Sequence, residues 1–374
     1  MDRIEFGELR FGDISRTHLM DCMDRNWSSG GPKVKEFEEK WGKLFGYKYN
    51  RAVSSGTDAV LNLVSTAYEY GAKRGDEIIV PALSFIASTN AVLMAGFTPV
   101  FVDVELETMN MNPSKIQSAI TDRTVAILAV HTMGKMCDMD AICTIGQRHG
   151  LLIFEDACEA HGAKYTHYYP GGKTHGAAFS FYTAHLICAG EGGMVSTNIK
   201  KIDNCVESTR THGRKPGDLY FDHERVGYNS KMNDLEASLA LEGVEDFWDT
   251  FQERKEILYK LMNATTQYSG KAWFSEENFY REVLCPHGFS VVLKDHAPIS
   301  RLTDTLDKYD IHWKRNFGCI PTQHRAYQWM DHKLGTFPNA EYIGDHGIHV
   351  GVHKYLSEED TDRMVKAFQE YFEE

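Results

Sequence analysis

The chain has 374 residues, of which 42% are hydrophobic and 25% are charged, and its formal net charge is −13. This length exceeds what one compact core usually holds, so we expect two domains. The negative charge argues against broad binding to nucleic acids or anionic membranes. No apolar run approaches the roughly 20 residues that a membrane span requires. The charged N-terminal residues have no signal-peptide core, and the cysteines form no C-x-x-C pair, so we expect a cytoplasmic protein with reduced thiols.

Helical and strand patterns alternate through the first two thirds of the chain. Residues 33–46 have helical periodicity and end at a glycine, and a short strand with a small-residue turn follows from Arg51. Apolar runs typical of buried strands lie at residues 77–81, 98–104, 125–130 and 151–154. Helical segments separate these runs at residues 88–95, 113–120 and 139–148. This alternation predicts a parallel sheet with helices on both faces.

The pattern changes after residue 241. Residues 242–265 indicate one long helix, and further helices are expected at residues 299–310 and 358–371, among short strands. The sequence therefore predicts an α/β fold with a large domain over residues 1–245. A smaller C-terminal α+β domain is expected over residues 246–374.

Two segments place polar residues where α/β folds bind ligands. Ser54-Ser-Gly-Thr-Asp-Ala59 is a small-residue turn between strand and helix, where backbone N–H groups can approach a phosphate. A plain turn with a helix cap explains the same residues equally well. Asp156 ends an apolar strand, at the edge where such sheets bind ligands, although it could instead cap the next helix.

A third segment, Phe179–Gly193, contains His185 and ends in Gly190-Glu-Gly-Gly193. Histidine moves protons near neutral pH because its ordinary pKa is about 6.5. A lone histidine in an apolar stretch is more often structural than catalytic. The interpretation of His185 therefore depends on the segments that accompany it.

Together with Gly227-Tyr-Asn-Ser-Lys-Met232, these segments resemble the DegT/DnrJ/StrS sugar aminotransferases, which are pyridoxal phosphate (PLP) enzymes of fold type I. The resemblance implies a large, mostly parallel sheet domain with a smaller C-terminal α+β domain. In that family a lysine at the position of His185 bonds covalently to the cofactor aldehyde. Histidine has no primary amine, and the chain is similar to a branch of the family that carries histidine there and removes a sugar hydroxyl group.

The resemblance also implies roles for individual residues. His185, Asp156 and Glu159 would be catalytic: Asp156 would keep the pyridine nitrogen of PLP protonated, and Glu159 stands where the aminotransferases carry glutamine. Asn229 would reach the cofactor of a neighbouring subunit, which implies a homodimer with shared sites. The residues that the resemblance assigns to the cofactor are Gly56, Thr57, Asp58, Phe85, Asp156, Glu159, Ser180 and Asn229.

Substrate contacts are implied in the same way. Lys314 and Arg315 could pair with a diphosphate, or they could equally be solvated surface charges. The residues assigned to the substrate are Trp27, Ser29, His212, Arg214, Lys314 and Arg315. His161, His167 and His175 fit no zinc spacing, so no metal is expected.

The function implied is a dehydratase that uses PLP and its amine form, pyridoxamine phosphate (PMP). It would remove the C3 hydroxyl group of a nucleotide-linked 4-keto-6-deoxyhexose, with His185 as base and acid and glutamate as amine donor. One alternative is a nucleotide-sugar aminotransferase that moves an amine from glutamate to a keto-sugar. A catalytically silent cofactor-binding subunit is a third hypothesis, and the presence of Asp156, Ser180 and Phe85 argues against it. The sequence does not indicate which nucleotide or sugar is used.

Overall fold

The computed structural model describes residues 3–215, 217 and 222–374. Its strands are β1 (Tyr49–Val53), β2 (Glu77–Pro81), β3 (Thr98–Val102), β4 (Thr124–Val130), β5 (Leu152–Asp156), β6 (Lys164–Tyr165), β7 (Gly176–Ser180), β8 (Gly193–Thr197), β9 (Ala272–Phe274), β10 (Glu282–Val283), β11 (Gly288–Leu293), β12 (Trp313–Arg315) and β13 (Gly347–Gly351). Its α-helices are α1 (Asp13–Asp24), α2 (Pro32–Phe45), α3 (Gly56–Ser65), α4 (Ile86–Met94), α5 (Pro113–Ala119), α6 (Met139–His149), α7 (Lys200–Thr209), α8 (Asp234–Glu245), α9 (Phe247–Thr265), α10 (Ile299–Lys308), α11 (Ile320–Gln323), α12 (Pro338–His346) and α13 (Glu358–Glu373). Single 3₁₀ turns lie at Thr66–Tyr70, Thr132–Gly134, Thr266–Tyr268 and Arg325–Met330.

The largest sheet has seven strands in the order β1-β8-β7-β5-β4-β2-β3. The run from β7 to β3 is parallel, while β8 is antiparallel to both of its neighbours. Both faces are covered, as a parallel sheet requires: along β4, Ile127 and Ala129 enter one core, and Ala126 and Leu128 enter the other. The predicted α/β fold with a large, mostly parallel sheet is confirmed.

A second, antiparallel sheet of four strands has the order β12-β13-β11-β9. Helices α9, α10 and α13 pack on it through Leu258, Leu306 and Phe368. The N-terminal segment joins this unit, because Ile4 pairs with Ile311 in a parallel bridge. The predicted division of the chain at residue 245 falls in the turn between α8 and α9 and stays a prediction.

The prediction of one helix over residues 242–265 is wrong. Helix α8 ends at Glu245 and α9 begins at Phe247, with Asp246 between them at φ −98° and ψ 11°. The Asp246 carboxylate accepts hydrogen bonds from Lys354 Nζ and, at 3.1 Å, from Thr250 Oγ1. The contact with Lys354 crosses 108 residues of sequence, so helical periodicity alone could not show the break.

Candidate active site

A cavity of about 620 Å³ opens where the parallel strands of the large sheet end. This volume lies within the roughly 300–1,000 Å³ typical of small-molecule sites. The cavity is lined both by residues of the large sheet and its helices and by residues of β12 and β13. Of the residues singled out from the sequence, it brings together Gly56, Thr57, Phe85, Asp156, Glu159, Ser180, His185, Lys314 and Arg315.

Asp156 presents a buried carboxylate to this cavity from the end of β5. Ser88 Oγ donates to its Oδ2 at 2.6 Å, and the Cys158 amide donates to its Oδ1 at 3.2 Å. Burial raises the pKa of Asp156 above its ordinary value, although these two hydrogen bonds oppose the rise. Ser88 was missed from the sequence, but it lies three residues after Phe85 on α4, so helical spacing could have indicated it.

The first turn of α3 and the end of β7 form a narrow cradle. A Cβ at Gly56 would lie 2.5 Å from Ser180 Cβ and 3.1 Å from Cys158 Sγ, so a side chain there would fill the space beside the Ser180 hydroxyl. The N-terminus of α3 and this hydroxyl can together hold a phosphate. Asp58 does not line the cavity: its side chain accepts from the hydroxyls of Ser54 and Ser55 and shapes the turn.

Phe85 forms part of the cavity wall and is 60% exposed. Its ring centre lies 6.0 Å from that of Phe317. A large aromatic face left open in a concave site is available to stack on a planar ligand.

Glu159 is anchored on two sides. The Met133 amide donates to its Oε2 at 2.7 Å, and His287 Nε2 lies 3.4 Å from its Oε1. Met133 adopts a φ of 53°, a left-handed conformation that is unusual for methionine and aims this amide at the carboxylate. Burial alone would raise the pKa of Glu159, but His287, the Met133 amide and His349 outweigh it and hold the pKa below its ordinary value.

His185 lies in a stack of imidazole rings. Its ring centre is 5.6 Å from that of His161 and 5.2 Å from that of His287, with interplanar angles of 27° and 30°. Desolvation, followed by His287, His161 and Arg254, holds the pKa of His185 well below 6.5. The imidazole is therefore neutral at neutral pH and can accept a proton.

Arg254 of α9 holds the backbone that carries these rings. Its guanidinium donates to the carbonyl oxygens of Pro286 at 3.0 Å and His287 at 2.9 Å. It also donates at 3.3 Å to the carbonyl oxygens of Ala184 and His185. The buried side chain of Arg254 thus connects the His185 segment to the segment before β11. The helical periodicity of the sequence around Arg254 does not predict this role.

Replacement of Arg254 by methionine is expected to lower the free energy of unfolding by about 2 kcal/mol or more. The substitution strands buried carbonyl oxygens without donors, and each unsatisfied group costs about 1–3 kcal/mol. Urea denaturation, monitored by circular dichroism, measures this change in the free energy of unfolding. Lys260→Met on the exposed face of the same helix is the control, since its surface pair with Asp362 contributes less than about 1 kcal/mol. Equal losses in the two variants would contradict this account of Arg254.

Six of the residues assigned from the sequence, including Asp58, do not line this cavity. Asn229 is exposed, and its Oδ1 accepts from Lys231 Nζ at 2.7 Å. His212 is exposed at a φ of 67°. The other three are Trp27, Ser29 and Arg214. Their assigned contacts, like that of Asn229, stay predictions.

Of the assigned substrate residues, Lys314 and Arg315 line the cavity. Lys314 Nζ lies 4.0 Å above the ring centre of Phe6, and desolvation lowers the pKa of this lysine. Arg315 donates to the carbonyl oxygens of Gly344 and Asp345. Lining residues that were not assigned from the sequence include Phe6, His131, Cys158, Tyr182, His287, Phe317, His324 and His349.

The described residues contain no group of three or more His, Cys, Asp or Glu side chains arranged to hold a metal ion. The eight cysteines are unpaired. Within the same part of the chain, no helix has both the length and the apolar character needed to cross a membrane.

Residues 13–369 match the model of the DegT/DnrJ/EryC1/StrS aminotransferase family. The chain belongs to this family. The identification made from the sequence motifs is confirmed, and so is the PLP-dependent fold that it implied.

Relatives in the family have different activities. The chain is 33% identical to GDP-perosamine synthase of Caulobacter vibrioides, over 99% of this chain and 98% of the relative. It is 30% identical to dTDP-4-dehydro-2,6-dideoxy-D-glucose 3-dehydratase of Saccharopolyspora spinosa, over 92% of this chain and 81% of the relative. A solved GDP-4-keto-6-deoxymannose-3-dehydratase, a histidine-to-asparagine variant with bound GDP-perosamine, has a TM-score of 0.90 at 23% identity and covers 97% of this chain and 99% of its own.

The family uses PLP and its amine form PMP, so the predicted cofactor is confirmed. The cavity fits this group: the cradle at Gly56 and Ser180 suits its phosphate, Phe85 offers an open face for its ring, and buried Asp156 suits its pyridine nitrogen. The protein is a PLP-dependent sugar-modifying enzyme of this family.

Proposed function

We propose that the protein is a nucleotide-sugar 3-dehydratase of deoxysugar biosynthesis, similar to GDP-4-keto-6-deoxymannose 3-dehydratase. It removes the C3 hydroxyl group of a nucleotide-linked 4-keto-6-deoxyhexose. The observation that carries the proposal is the neutral imidazole of His185, which lines the cofactor cavity where the aminotransferases place a lysine amine. The 3-dehydratase at 30% identity supports this activity within the family.

Three polar groups of the cavity, His185, Asp156 and Glu159, have roles in this reaction. Bound PMP would supply two electrons: the carbon of its aminomethyl group ends as the aldehyde of PLP and its nitrogen leaves as ammonia, while C3 of the sugar is reduced as its hydroxyl group departs as water. His185 removes a proton from carbon and returns one to the departing hydroxyl oxygen. Because desolvation, followed by His287, His161 and Arg254, lowers the pKa of His185, its protonated form gives up the proton readily. Asp156 holds the pyridine nitrogen, and Glu159 keeps a negative charge in the site.

The experiment that tests the function supplies PLP, glutamate and 4-keto-6-deoxyhexoses linked to GDP, CDP, dTDP or UDP. Mass spectrometry of the products distinguishes the hypotheses. A 3-deoxy-4-keto sugar supports the dehydratase. A 4-amino sugar that keeps its C3 hydroxyl group would overturn it.

That second outcome would favour an aminotransferase, the activity named for the GDP-perosamine synthase relative at 33% identity. An aminotransferase lacking the family lysine would need another base for proton transfer. Lys314 is the one lysine among the described residues that line the cavity, and its ammonium faces the ring of Phe6. The geometry thus favours dehydration over amine transfer.

The cofactor is expected to bind without a covalent link to the protein, because His185 has no amine to form one. Borohydride reduction of the PLP-loaded protein, followed by intact-mass measurement, should show no added pyridoxyl group. A stable adduct that disappears in Lys314→Arg would contradict the prediction and assign the link to Lys314. A family aminotransferase that carries the lysine serves as the positive control.

We further propose a homodimer whose two sites are shared, with glutamate as the amine donor that regenerates PMP. Asn229 supports the shared site, because it is exposed and does not line the cavity of its own subunit. His212, on the segment paired with Asn229, is exposed as well and could reach the same neighbouring site.

A further inference from the structure

His287 connects two residues of the proposed mechanism. Its Nε2 lies 3.4 Å from Glu159 Oε1, and its ring lies 5.2 Å from the ring of His185. His287 is 4% exposed and lines the cofactor cavity. It belongs to no motif of the sequence and is contributed by the segment Cys285-Pro-His-Gly288 before β11. An imidazole in this position can act on the base and on the carboxylate together.

The contact between the His185 and His287 rings is held in place from outside the cavity. Arg254 donates to the carbonyl oxygens of both His185 and His287, so the two ring-bearing segments cannot move apart without losing buried hydrogen bonds. On the opposite side, His161 closes the stack at 5.6 Å from His185. His287 Nδ1 and His185 Nδ1 are buried, with no hydrogen-bond partner within the described part of the chain. Two buried nitrogens without hydrogen-bond partners beside a cavity indicate side chains that take part in the reaction there.

Charged and titratable groups surround His185. Those that act on it directly are His161 from the loop after β5, His287 from the loop before β11, and Arg254 from α9. Other such groups that line the same cavity are His131, Asp156, Cys158, Glu159, Tyr182, Glu191, Lys314, Arg315, His324 and His349. Of the direct neighbours, His287 is the one that also contacts Glu159.

We propose that His287 is a positioning residue that couples Glu159 to His185. Its Nε2 anchors the carboxylate, and its ring face fixes the orientation of the His185 ring. The proposal rests on the proposed role of His185 as the base. It follows that loss of His287 disturbs the protonation of His185, as well as the packing around it.

Two substitutions separate the two contacts. His287→Gln keeps an N–H donor for Glu159 and removes the imidazole, while His287→Phe keeps a ring against His185 and removes the donor. His149→Gln is the control, because His149 is exposed at the end of α6 and contacts Gln117. Thermal melting of each variant establishes that it is folded.

The first measurement follows the imidazole signals of ring-labelled histidine by NMR, in protein without substrate, with His185 assigned from the signal missing in His185→Gln. In His287→Gln the His185 signal should titrate at higher pH than in the parent, because His287, which lowers the pKa of His185, is gone. His149→Gln should leave it unmoved. An unchanged His185 titration in folded His287→Gln would overturn the coupling.

The second measurement is the pH profile of sugar dehydration. The acid limb of kcat should move to higher pH in His287→Gln, with little change in KM. We expect kcat to fall about 10- to 100-fold in His287→Phe, because Glu159 loses an anchor, and to recover in part in His287→Gln. Equal kcat in all variants would overturn the proposal. If no substrate is dehydrated by the parent but the NMR shift is found, the proposed function falls and the coupling stands.

Discussion

The His185→Lys variant is expected to turn yellow when PLP is added and to lose about a hundredfold or more of its 3-dehydration rate. A lysine amine at this position can bond covalently to the cofactor aldehyde and so compete with its conversion to the amine form. The imidazole that returns a proton to the departing hydroxyl group is also lost. The measurements are the visible absorbance before and after borohydride and the rate of 3-deoxy sugar formation.

His185→Gln is the matched control, because it removes the imidazole without adding an amine. This variant should also lose dehydration, yet it should remain without the borohydride-sensitive absorbance. Some transfer of an amine to C4 is expected in the lysine variant, but the family resemblance assigns Glu159 to the place of the aminotransferase glutamine, so the gain should be limited. If His185→Lys dehydrates the sugar as fast as the parent, His185 is not the base and the proposed function fails with it.

Mixing inactive Asp156→Ala with inactive Asn229→Ala is expected to restore part of the activity. In a shared-site homodimer, one of the two hybrid sites keeps Asp156 from one subunit and Asn229 from the other. Random exchange of equal amounts makes half of the dimers hybrid, so about a quarter of the parental activity should return. The experiment uses differently tagged subunits, so that exchange is demonstrated by co-purification.

The control mixes Asp156→Ala with Ser180→Ala, because both residues line one cavity of the same subunit. In those hybrids each site carries one lesion, so no activity should be recovered even when exchange is complete. No recovery with Asn229→Ala, although co-purification demonstrates subunit exchange, would count against a shared site at Asn229. Recovery with Asn229→Ala and none in the control, together with loss of activity in each single variant, supports the shared-site homodimer.

The sequence by itself determined the strand–helix alternation, the family and the residues at the ends of β5 and β7. These features are local: short apolar runs predict buried strands, and Asp156 follows from where one such run ends, whereas Ser180 was assigned from its place in the family segment. The absence of an amine at His185 is likewise a property of one residue in a recognisable segment. Chemistry that depends on residue type within a motif can therefore be predicted before the fold is known.

Only the tertiary structure decided which distant groups surround His185. His287 and Arg254 come from separate parts of the chain and belong to no motif, and the fold brings both against the His185 segment. Phe6, from the N-terminal segment, lines the same cavity as His185. The break at Asp246 has the same origin, since a lysine 108 positions away stabilises it. Hydrophobic periodicity predicts which side of one segment packs against the core. The pKa of a buried base, in contrast, depends on every neighbour that the fold brings to it.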